Sequence, residues 1–242
     1  MTHQNLLTLE GVHTHIGAYH ILHGVDLAVP KGQLTMLLGR NGAGKTTTLR
    51  TIMGLWHASQ GRVRFGDKDI AAMHTPQIAE LGIAYVPENM GIFSDLTVKE
   101  NMLLAARGAK NAAQIDDTRL KWIFKLFPAV EKFWNHPAGK LSGGQKQMLA
   151  VSRAIVEPRE LLLIDEPSKG LAPVMINNMI DAFAELKASG VTILLVEQNI
   201  NFAQRLGDNV AVMDNGRVVH SGGMAVFSAD AQLQQSLLGL AL

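Results

Sequence analysis

The chain has 242 residues, 47% of them hydrophobic and none of them cysteine, and its 22 basic and 21 acidic residues leave a formal net charge of +1. This length and apolar content suffice for one large α/β domain or two small ones, and the balanced charge gives no basic footprint for nucleic acid. The lack of cysteine excludes a disulfide scaffold and agrees with a reducing compartment. We expect neither an export signal nor a membrane span, because no apolar run approaches the about 20 residues that cross a bilayer.

The first part of the chain shows strand patterns. Short alternating segments, separated by turn residues such as Gly32, predict a small antiparallel β layer. These segments are 7–9, 25–29 and 63–65. Between the second and third of them, residues 34–38 form an apolar run that ends at Gly39, and we expect a more buried strand there.

The middle of the chain changes to helical spacing. From about Thr97 the strand signals stop, and apolar residues such as Leu120, Ile123 and Phe127 recur at helical intervals. We therefore expect a helical subdomain at about 97–155, inserted within one domain that spans 1–242.

Strand patterns return in the last third of the chain, at 161–164, 191–196 and 210–213, with a helix-like segment at 174–187. The dipeptide Asn-Gly at 215–216 predicts a hairpin, because both residues tolerate the positive φ of a type I′ turn. Apolar strands that alternate with helices indicate a mainly parallel sheet, so the expected fold class is α/β.

Residues 39–47, GRNGAGKTT, match the phosphate-binding loop G-x-x-x-x-G-K-[ST] between a predicted strand and a predicted helix. The glycines let backbone N–H groups turn toward phosphate oxygens, and the helix offers its positive end. Lys45 would contact the outer phosphates, and the Thr46 hydroxyl would bind Mg²⁺. A glycine-rich turn without a ligand is the disfavoured alternative, because sequence and setting agree. The predicted nucleotide-binding residues of this loop are Gly39, Arg40, Asn41, Gly42, Ala43, Gly44, Lys45, Thr46 and Thr47.

The stretch LLLIDEPSKG, residues 161–170, carries two adjacent carboxylates directly after an apolar run. The run does not alternate, which is typical of a strand covered on both faces, and ligands of parallel sheets collect at the carboxyl ends of strands. Asp165 would bind the Mg²⁺ of Thr46, directly or through water, and Glu166 would orient or deprotonate the attacking water. The alternative is that Asp-Glu-Pro only leaves a strand and caps the next helix.

A second glycine-bearing helix start, LSGGQ at 141–145, precedes apolar residues at helical spacing. Ser142 can cap this helix while the amides of Gly143 and Gly144, followed by Gln145, face an anion. The chain then has two predicted phosphate sites but only one phosphate-loop lysine, so the geometry of a single chain does not explain how both sites are used. A two-fold dimer explains this by placing each nucleotide between one copy's loop and its partner's LSGGQ. A plain helix cap is the alternative for this pentapeptide.

These three motifs, in this order, resemble those of the ATP-binding subunit of ABC transporters over essentially the whole chain. The resemblance implies a P-loop NTPase core that binds ATP and Mg²⁺. More narrowly, VPENMGIFSDLTVKENM at 86–102, DEPSKGLAP at 165–173 and LLVEQN at 194–199 resemble the branched-chain amino-acid (LivF-type) branch. Importers of urea, short amides and other hydrophobic amino acids are similar in these stretches, so the solute stays open.

The resemblance also implies partners and a location. The chain would be an ATPase that pairs with a second ATP-binding subunit, identical or a close paralogue, and drives two transmembrane permease subunits. A periplasmic or extracellular solute-binding protein would act indirectly, and nucleic acid would play no part. The chain would lie at the cytoplasmic face of the inner membrane, and we expect the permeases to contact residues 88–102.

Two positions around the phosphates depart from the family pattern. Glu88 falls where most members have the Q-loop glutamine, which senses the metal and the water and touches the membrane partner. The branched-chain branch often has glutamate there, so we expect coupling to the permeases to survive the change. Gln198 falls where most members have a histidine that contacts the γ-phosphate. An amide can position a group but cannot act as an acid near neutral pH, so efficient hydrolysis is less assured.

Two further departures concern a loop and the adenine. Residues 168–172 resemble the D-loop, with Lys169 in place of the commoner apolar residue. The aromatic residue expected to stack on adenine just before Gly17 is replaced by Ile16, which leaves Tyr19 or an apolar contact as the substitute.

Two functions of another class are also considered. A soluble ABC ATPase that acts on DNA or ribosomes would need a long coiled-coil insertion or tandem cassettes, and the chain shows neither. A nucleotide-binding regulatory module without turnover is motivated by Gln198 and Glu88.

Overall fold

The computed structural model describes residues 4–106 and 115–239. The strands are β1 Asn5–Ile16, β2 Tyr19–Pro30, β3 Leu34–Gly39, β4 Ala58–Phe65, β5 Lys68–Asp69, β6 Ile83–Val86, β7 Leu161–Asp165, β8 Thr192–Glu197, β9 Asn209–Asp214 and β10 Arg217–Gly223. The helices are α1 Lys45–Ile52, α2 Thr75–Glu80, α3 Val98–Ala105, α4 Asp117–Leu126, α5 Pro128–Lys132, α6 Gly143–Ala154, α7 Pro173–Ala188, α8 Ile200–Leu206, α9 Met224–Ala229 and α10 Ala231–Leu238, with a 3₁₀ turn at Ala138–Lys140. None of the described helices is long and apolar enough to cross a membrane.

The first sheet is the predicted antiparallel layer. Its strand order is β2-β1-β4-β5, and β1 pairs antiparallel with both β2 and β4. Inward-facing residues such as Leu7, Val25 and Val63 are completely buried, whereas their sequence neighbours are more exposed. One face of this sheet therefore packs on the core, which explains the alternating pattern.

The second sheet is mainly parallel, as predicted. Its order is β10-β9-β3-β8-β7-β6; the strands from β9 to β6 run parallel, and β10 pairs antiparallel with β9. The predicted turn joins β9 to β10, with φ of 45° at Asn215 and 73° at Gly216. The neighbouring strands β3, β8 and β7 all end at one edge, where Leu38 pairs with Glu197 and Asp165 pairs with Val196.

Apolar residues cover both faces of the parallel sheet. In β7, Leu162 and Ile164 belong to the core cluster shared with the helices, whereas Leu161 and Leu163 belong to the cluster shared with the antiparallel sheet. A strand buried on both sides cannot alternate, so its uniform apolar sequence follows from its position. The acids that follow such a strand are thereby held at a fixed edge.

Helices fill the described part of the predicted subdomain. The helices α3 to α6 lie between Val98 and Ala154, and their apolar residues pack in one cluster that includes Phe127 and Leu149. Residues 107–114 of the predicted subdomain lie outside the described residues.

Candidate functional site

The loop between β3 and α1 requires glycine at several positions. A Cβ on Gly39 would approach the Met213 carbonyl oxygen to 2.4 Å, so the backbones lie too close for any side chain. Gly42 and Gly44 have φ of 81° and 104°, the left-handed region that glycine adopts without cost. Gly42 has no atom within 4 Å of an added Cβ, so open space lies beside the loop.

Helix α1 begins directly after this loop, at Lys45. Its N-cap, Gly44, provides no side-chain cap, and its first turn contains no acidic residue. The first amides of such a helix lack intrahelical partners and carry the positive end of the helix dipole. The start of α1 therefore suits an anion.

The ammonium of Lys45 is buried in the loop. Its Nζ donates to the carbonyls of Gly39 at 2.8 Å and Arg40 at 3.0 Å, and it lies 3.7 Å from Oε1 of Glu166. Burial lowers the pKa of Lys45, whereas the nearby carboxylates of Glu166 and Asp165 act in the opposite direction. The loop thus holds a desolvated cation against its own carbonyl groups.

Asp165 at the end of β7 contacts the start of α1. The Thr46 hydroxyl donates to Oδ1 of Asp165 at 3.1 Å, and the Tyr85 hydroxyl donates to Oδ2 at 3.3 Å. Asp165 is completely buried, which raises its carboxyl pKa, and the two hydrogen bonds oppose this effect. Burial likewise raises the pKa of Tyr85 to about 12, so this phenol stays a neutral donor. Sequence reasoning placed Asp165 beside Thr46 and missed Tyr85.

Glu166 lies in a strained and crowded position. Its φ is 47°, and its backbone N–H donates to the Val196 carbonyl at 3.0 Å. Around its carboxylate lie the Lys45 ammonium at 3.7 Å, the Lys169 ammonium at 3.4 Å and the Gln198 amide at 2.5 Å. A non-glycine residue in the left-handed region costs about 1–3 kcal/mol, and such residues cluster at functional sites.

Gln198 bridges the phosphate loop and Glu166. Its Nε2 donates to Oδ1 of Asn41 at 2.7 Å as well as to Glu166. The side chain follows β8 directly, so the sheet edge itself brings Gln198 to the loop. The structure therefore brings the three predicted catalytic residues, Lys45, Glu166 and Gln198, into one group of contacts.

A buried acid that sequence reasoning missed supports this group. Glu197 is only 2% exposed, and its carboxylate accepts hydrogen bonds from the backbone amides of Ser168 at 2.9 Å, Gln198 at 3.0 Å and Asn199 at 3.2 Å. Burial raises the pKa of Glu197, and these hydrogen bonds oppose the increase. An acid at the end of an apolar strand was the available signal, the same one that identified Asp165.

Glu88 and Lys169 form an ion pair at the mouth of the site. Nζ of Lys169 lies 2.5 Å from Oε1 of Glu88, and both side chains are partly exposed. Chiefly through this hydrogen bond, Glu88 raises the pKa of Lys169, and Glu166 adds to the effect. Glu88 was predicted to contact the metal, and the ion partner that the structure gives it is Lys169.

Two cavities follow the phosphate loop. A cavity of about 750 Å³ runs along residues 39–43 and is also lined by Gln198 and Leu238. A second cavity, of about 370 Å³, is lined by Thr46, Glu88 and Glu166 among others. The predicted adenine contact, Tyr19, is 76% exposed and lines neither cavity, so its role stays a prediction.

The second glycine-bearing segment begins α6, as predicted. The Ser142 hydroxyl accepts from the Gln145 amide at 3.4 Å, and Oε1 of Gln145 accepts from the Ser142 amide at 2.9 Å. A Cβ on Gly143 would meet nothing within 4 Å, whereas one on Gly144 would lie 2.6 Å from Cε of Met175. Residues 142–145 line neither phosphate-loop cavity. The helix cap is confirmed, and the second phosphate site stays a prediction.

The oxygen atoms of Thr46 and Asp165 suit Mg²⁺. A hydroxyl and a carboxylate are hard ligands, and Mg²⁺ in phosphate sites commonly takes one or two protein ligands together with substrate phosphates and water. Within residues 4–106 and 115–239, no group of three or more His, Cys, Asp or Glu residues is arranged to hold a metal ion. The residues present therefore fit a magnesium ion that arrives with a polyphosphate.

The chain is similar to known ATP-binding subunits of transporters. The family model described as "ABC transporter" matches residues 22–169. The chain is 38% identical over 235 residues to the high-affinity branched-chain amino acid transport ATP-binding protein BraG of Pseudomonas aeruginosa, covering 97% of this chain and 100% of BraG. It is 36% identical over 204 residues to the probable branched-chain amino acid transport ATP-binding protein LivF of Archaeoglobus fulgidus, covering 84% and 86%. A solved nucleotide-free ATP-binding cassette from an ABC transporter superposes with a TM-score of 0.82 at 26% identity, covering 98% of this chain and 100% of that one.

Proposed function

Because this chain belongs to the ABC transporter family, we propose that it hydrolyses ATP to power the uptake of branched-chain amino acids through separate transmembrane permease subunits. One observation supports the catalytic part: the phosphate loop, Asp165, Glu166 and Gln198 meet at one edge of the parallel sheet. The solute is carried over from the names of the relatives BraG and LivF.

The triphosphate lies along the phosphate loop in this proposal. The amides at the start of α1 face the phosphate oxygens, and the Lys45 ammonium exchanges its carbonyl partners for the outer phosphates. Thr46 and Asp165 would hold Mg²⁺, which when bound neutralises charge on the phosphates. Glu88 stays a predicted metal-sensing residue. The loop thus supplies most of the binding free energy.

Glu166 handles the attacking water. Lys45 and Gln198 hold its carboxylate directly after β7, so its position is fixed before substrate arrives. A positioned general base contributes about 10²–10⁴-fold in rate. Gln198 orients Glu166 and Asn41 through its amide and does not itself exchange a proton.

A second ATP-binding subunit completes the site. The exposed start of α6 presents Ser142 and Gly143 away from the chain's own phosphate loop. In a two-fold dimer the partner's helix start closes over the nucleotide, and each copy contributes to two sites. This arrangement uses the anion-binding end of α6, which carries no acidic residue in its first turn. The second subunit is another copy of this chain or a close paralogue.

The permease subunits bind at a groove beside β6. A cavity of about 450 Å³ is lined by Leu55, Tyr85, Met90 and Arg153 among others. Leu55 and Phe93 are each 49% exposed, and Phe93 lies near this cavity because the Arg153 guanidinium stands over its ring at 5.2 Å. A bound permease would cover both apolar side chains. The predicted permease-contacting segment, 88–102, forms part of this surface, so the chain docks here at the cytoplasmic face of the membrane.

Phosphate release tests the catalytic part of the proposal. We expect Glu166→Gln to lower the hydrolysis rate by about 10²–10⁴-fold while ATP still binds. Glu185→Gln, which changes a surface acid of α7, serves as the control and should leave the rate unchanged. A wild-type rate no greater than that of Glu166→Gln would contradict hydrolysis and favour a regulatory module.

Reconstitution tests the transport part. The chain would be combined with its two permeases and a solute-binding protein in vesicles, and uptake of labelled leucine, urea and a short amide would be compared. We expect ATP-dependent uptake of leucine alone. Uptake of urea or the amide instead would contradict the proposed solute and identify another. Binding to DNA or ribosomes without any uptake would contradict a role in transport.

A further inference from the structure

Three carboxylates lie close together in the candidate site. Burial chiefly raises the pKa of Asp165, and the neighbouring Glu166 and Glu88 add to this increase. Like charges a few ångströms apart repel each other, so an excess of carboxylates beside a nucleotide triphosphate weakens its binding. Glu88 is the one of the three that lies outside the Asp165–Glu166 motif, and it lines the cavity that Thr46 and Glu166 also line.

Lys169 lies between two of these acids. Its ammonium is 2.5 Å from Oε1 of Glu88 and 3.4 Å from Oε2 of Glu166. The contact with Glu88 is thus the shorter of the two, and the carboxylate of Glu88 competes with that of Glu166 for the same cation. All three side chains line the cavity beside Thr46, so their charges lie next to the phosphate loop.

The backbone around Lys169 is firmly held. Its N–H donates to the Glu166 carbonyl at 3.2 Å, and the preceding Ser168 amide is bound by the buried Glu197 at 2.9 Å. The Leu171 amide closes the next turn onto the Ser168 carbonyl at 3.2 Å. This fixed turn therefore places the Lys169 ammonium beside the carboxylates of Glu88 and Glu166.

We propose that Lys169 is a positioning residue that works with Glu88 as a matched charge pair: Lys169 cancels the charge of Glu88 beside the phosphates, and Glu88 keeps Lys169 from binding Glu166 tightly. This inference rests on the proposed ATPase function and adds a role for the Glu88–Lys169 pair within it. It also assigns Lys169 a role toward the nucleotide that the motifs alone did not give.

The two single changes should therefore have different effects. Lys169→Met leaves an unpaired carboxylate near the phosphates, so we expect affinity for ATP to fall by about 10-fold. In Glu88→Gln the Lys169 ammonium can pair only with Glu166, so we expect kcat to fall by about 10-fold while the affinity for ATP is kept or improved. The double variant is neutral at both positions and should recover most of the affinity and the rate.

Four proteins test the charge pair: the wild type, both single variants and the double variant. The affinity for ATP is measured in EDTA, without metal, and kcat is measured separately with Mg²⁺. Urea unfolding of all four controls for folding, and little change is expected because exposed ion pairs contribute about 1 kcal/mol or less. Lys125→Met removes the exposed Lys125–Glu185 pair of 3.1 Å and should leave affinity and kcat unchanged.

Recovery in the double variant supports the pair. The proposal is overturned if the double variant loses the product of the two single losses, or if Lys169→Met binds ATP as tightly as the wild type. A wild type that hydrolyses ATP while the single changes act independently overturns only the charge pair. A wild type that does not hydrolyse ATP overturns the proposed function itself, together with the inference that rests on it.

Discussion

The starts of α1 and α6 are both glycine-bearing, yet they are completed in different ways. Helix α1 has no side-chain cap and begins beside Lys45, Asp165 and Glu166 of its own chain. Helix α6 closes its own first turn with the reciprocal bonds between Ser142 and Gln145. Neither first turn contains an acidic residue.

The two helix starts differ in which half of the proposed nucleotide site the chain holds by itself. The α1 half is preassembled, because three strands of one sheet end beside it and place the predicted catalytic side chains there. The α6 half is a capped and outward-facing helix start, with open space at Gly143. We infer that each chain contributes one complete half and one half that serves its partner.

The largest effect is expected at the α6 half, with Gly143→Asp. The added carboxylate has room within the chain, so the fold should be kept, but it would face the phosphates of the partner's nucleotide. We expect single-chain ATP binding to persist and hydrolysis to fall by about 100-fold or more. Phosphate release and the ATP-dependent increase in mass by light scattering measure both effects.

The matched control for that change is Gly223→Asp. Gly223 also has open space and is the N-cap of a helix, α9, but it lies far along the chain from the motifs. It should leave hydrolysis and dimerisation unchanged. Equal losses in the two variants, or none in Gly143→Asp, would show that α6 does not close the site.

A smaller effect is expected at the α1 half, with Tyr85→Phe. This change removes the hydroxyl that donates to Asp165 at 3.3 Å and keeps the ring. Losing one such bond costs about 1 kcal/mol, so we expect the Mg²⁺ concentration for half-maximal hydrolysis to change about 3- to 10-fold. The control is Tyr19→Phe, which keeps the ring predicted to stack on adenine and removes only an exposed hydroxyl, so it should leave the Mg²⁺ curve unchanged. Equal Mg²⁺ curves for wild type and Tyr85→Phe would contradict the role of Tyr85.

The smallest effect concerns pH and Glu197. Because burial raises its pKa in the folded chain, the folded state holds that proton more tightly than the unfolded state. The stabilisation is complete below the ordinary glutamate pKa of about 4.5 and is lost as pH rises through the raised pKa. We expect urea unfolding of the wild type to show this loss, and we expect Glu197→Gln to show a smaller decrease in the free energy of unfolding over the same pH window.

The control for the pH measurement is Glu80→Gln, which changes a surface acid at the end of α2. It should keep the wild-type slope. Either of two results would contradict this link between Glu197 and stability. One is a wild-type free energy of unfolding that rises across this pH window, and the other is a Glu197→Gln variant whose free energy of unfolding depends on pH as in the wild type.

Much of the sheet was predictable from sequence. The runs at β3, β7 and β8 are uniformly apolar because both sheet faces are covered, and the phosphate loop follows one of them. By contrast, strand β6, Ile83–Val86, is only four residues long, and its Tyr85 is half-buried. The sequence pattern was therefore too short to predict the strand or to single out the tyrosine. The helices α8 to α10 carry no motif and were missed as well.

The candidate site was predictable where motifs are contiguous. Short motifs, whose chemistry leaves few possible roles for their residues, contain Lys45, Thr46, Asp165 and Glu166. The Glu88–Lys169 pair joins two loops that are 81 residues apart in sequence, so only the fold brings the two charges together. Glu197 carried the same signal as Asp165, but without an adjacent second acid it was noted only as part of the stretch LLVEQN at 194–199.

A crystal structure of Glu166→Gln with ATP and Mg²⁺ tests the central claim most directly. We expect a two-fold dimer in which the triphosphate contacts Lys45 and Thr46 of one copy and Ser142 and Gly143 of the other. A nucleotide bound elsewhere, or one enclosed by a single chain without a partner's α6, would contradict the account.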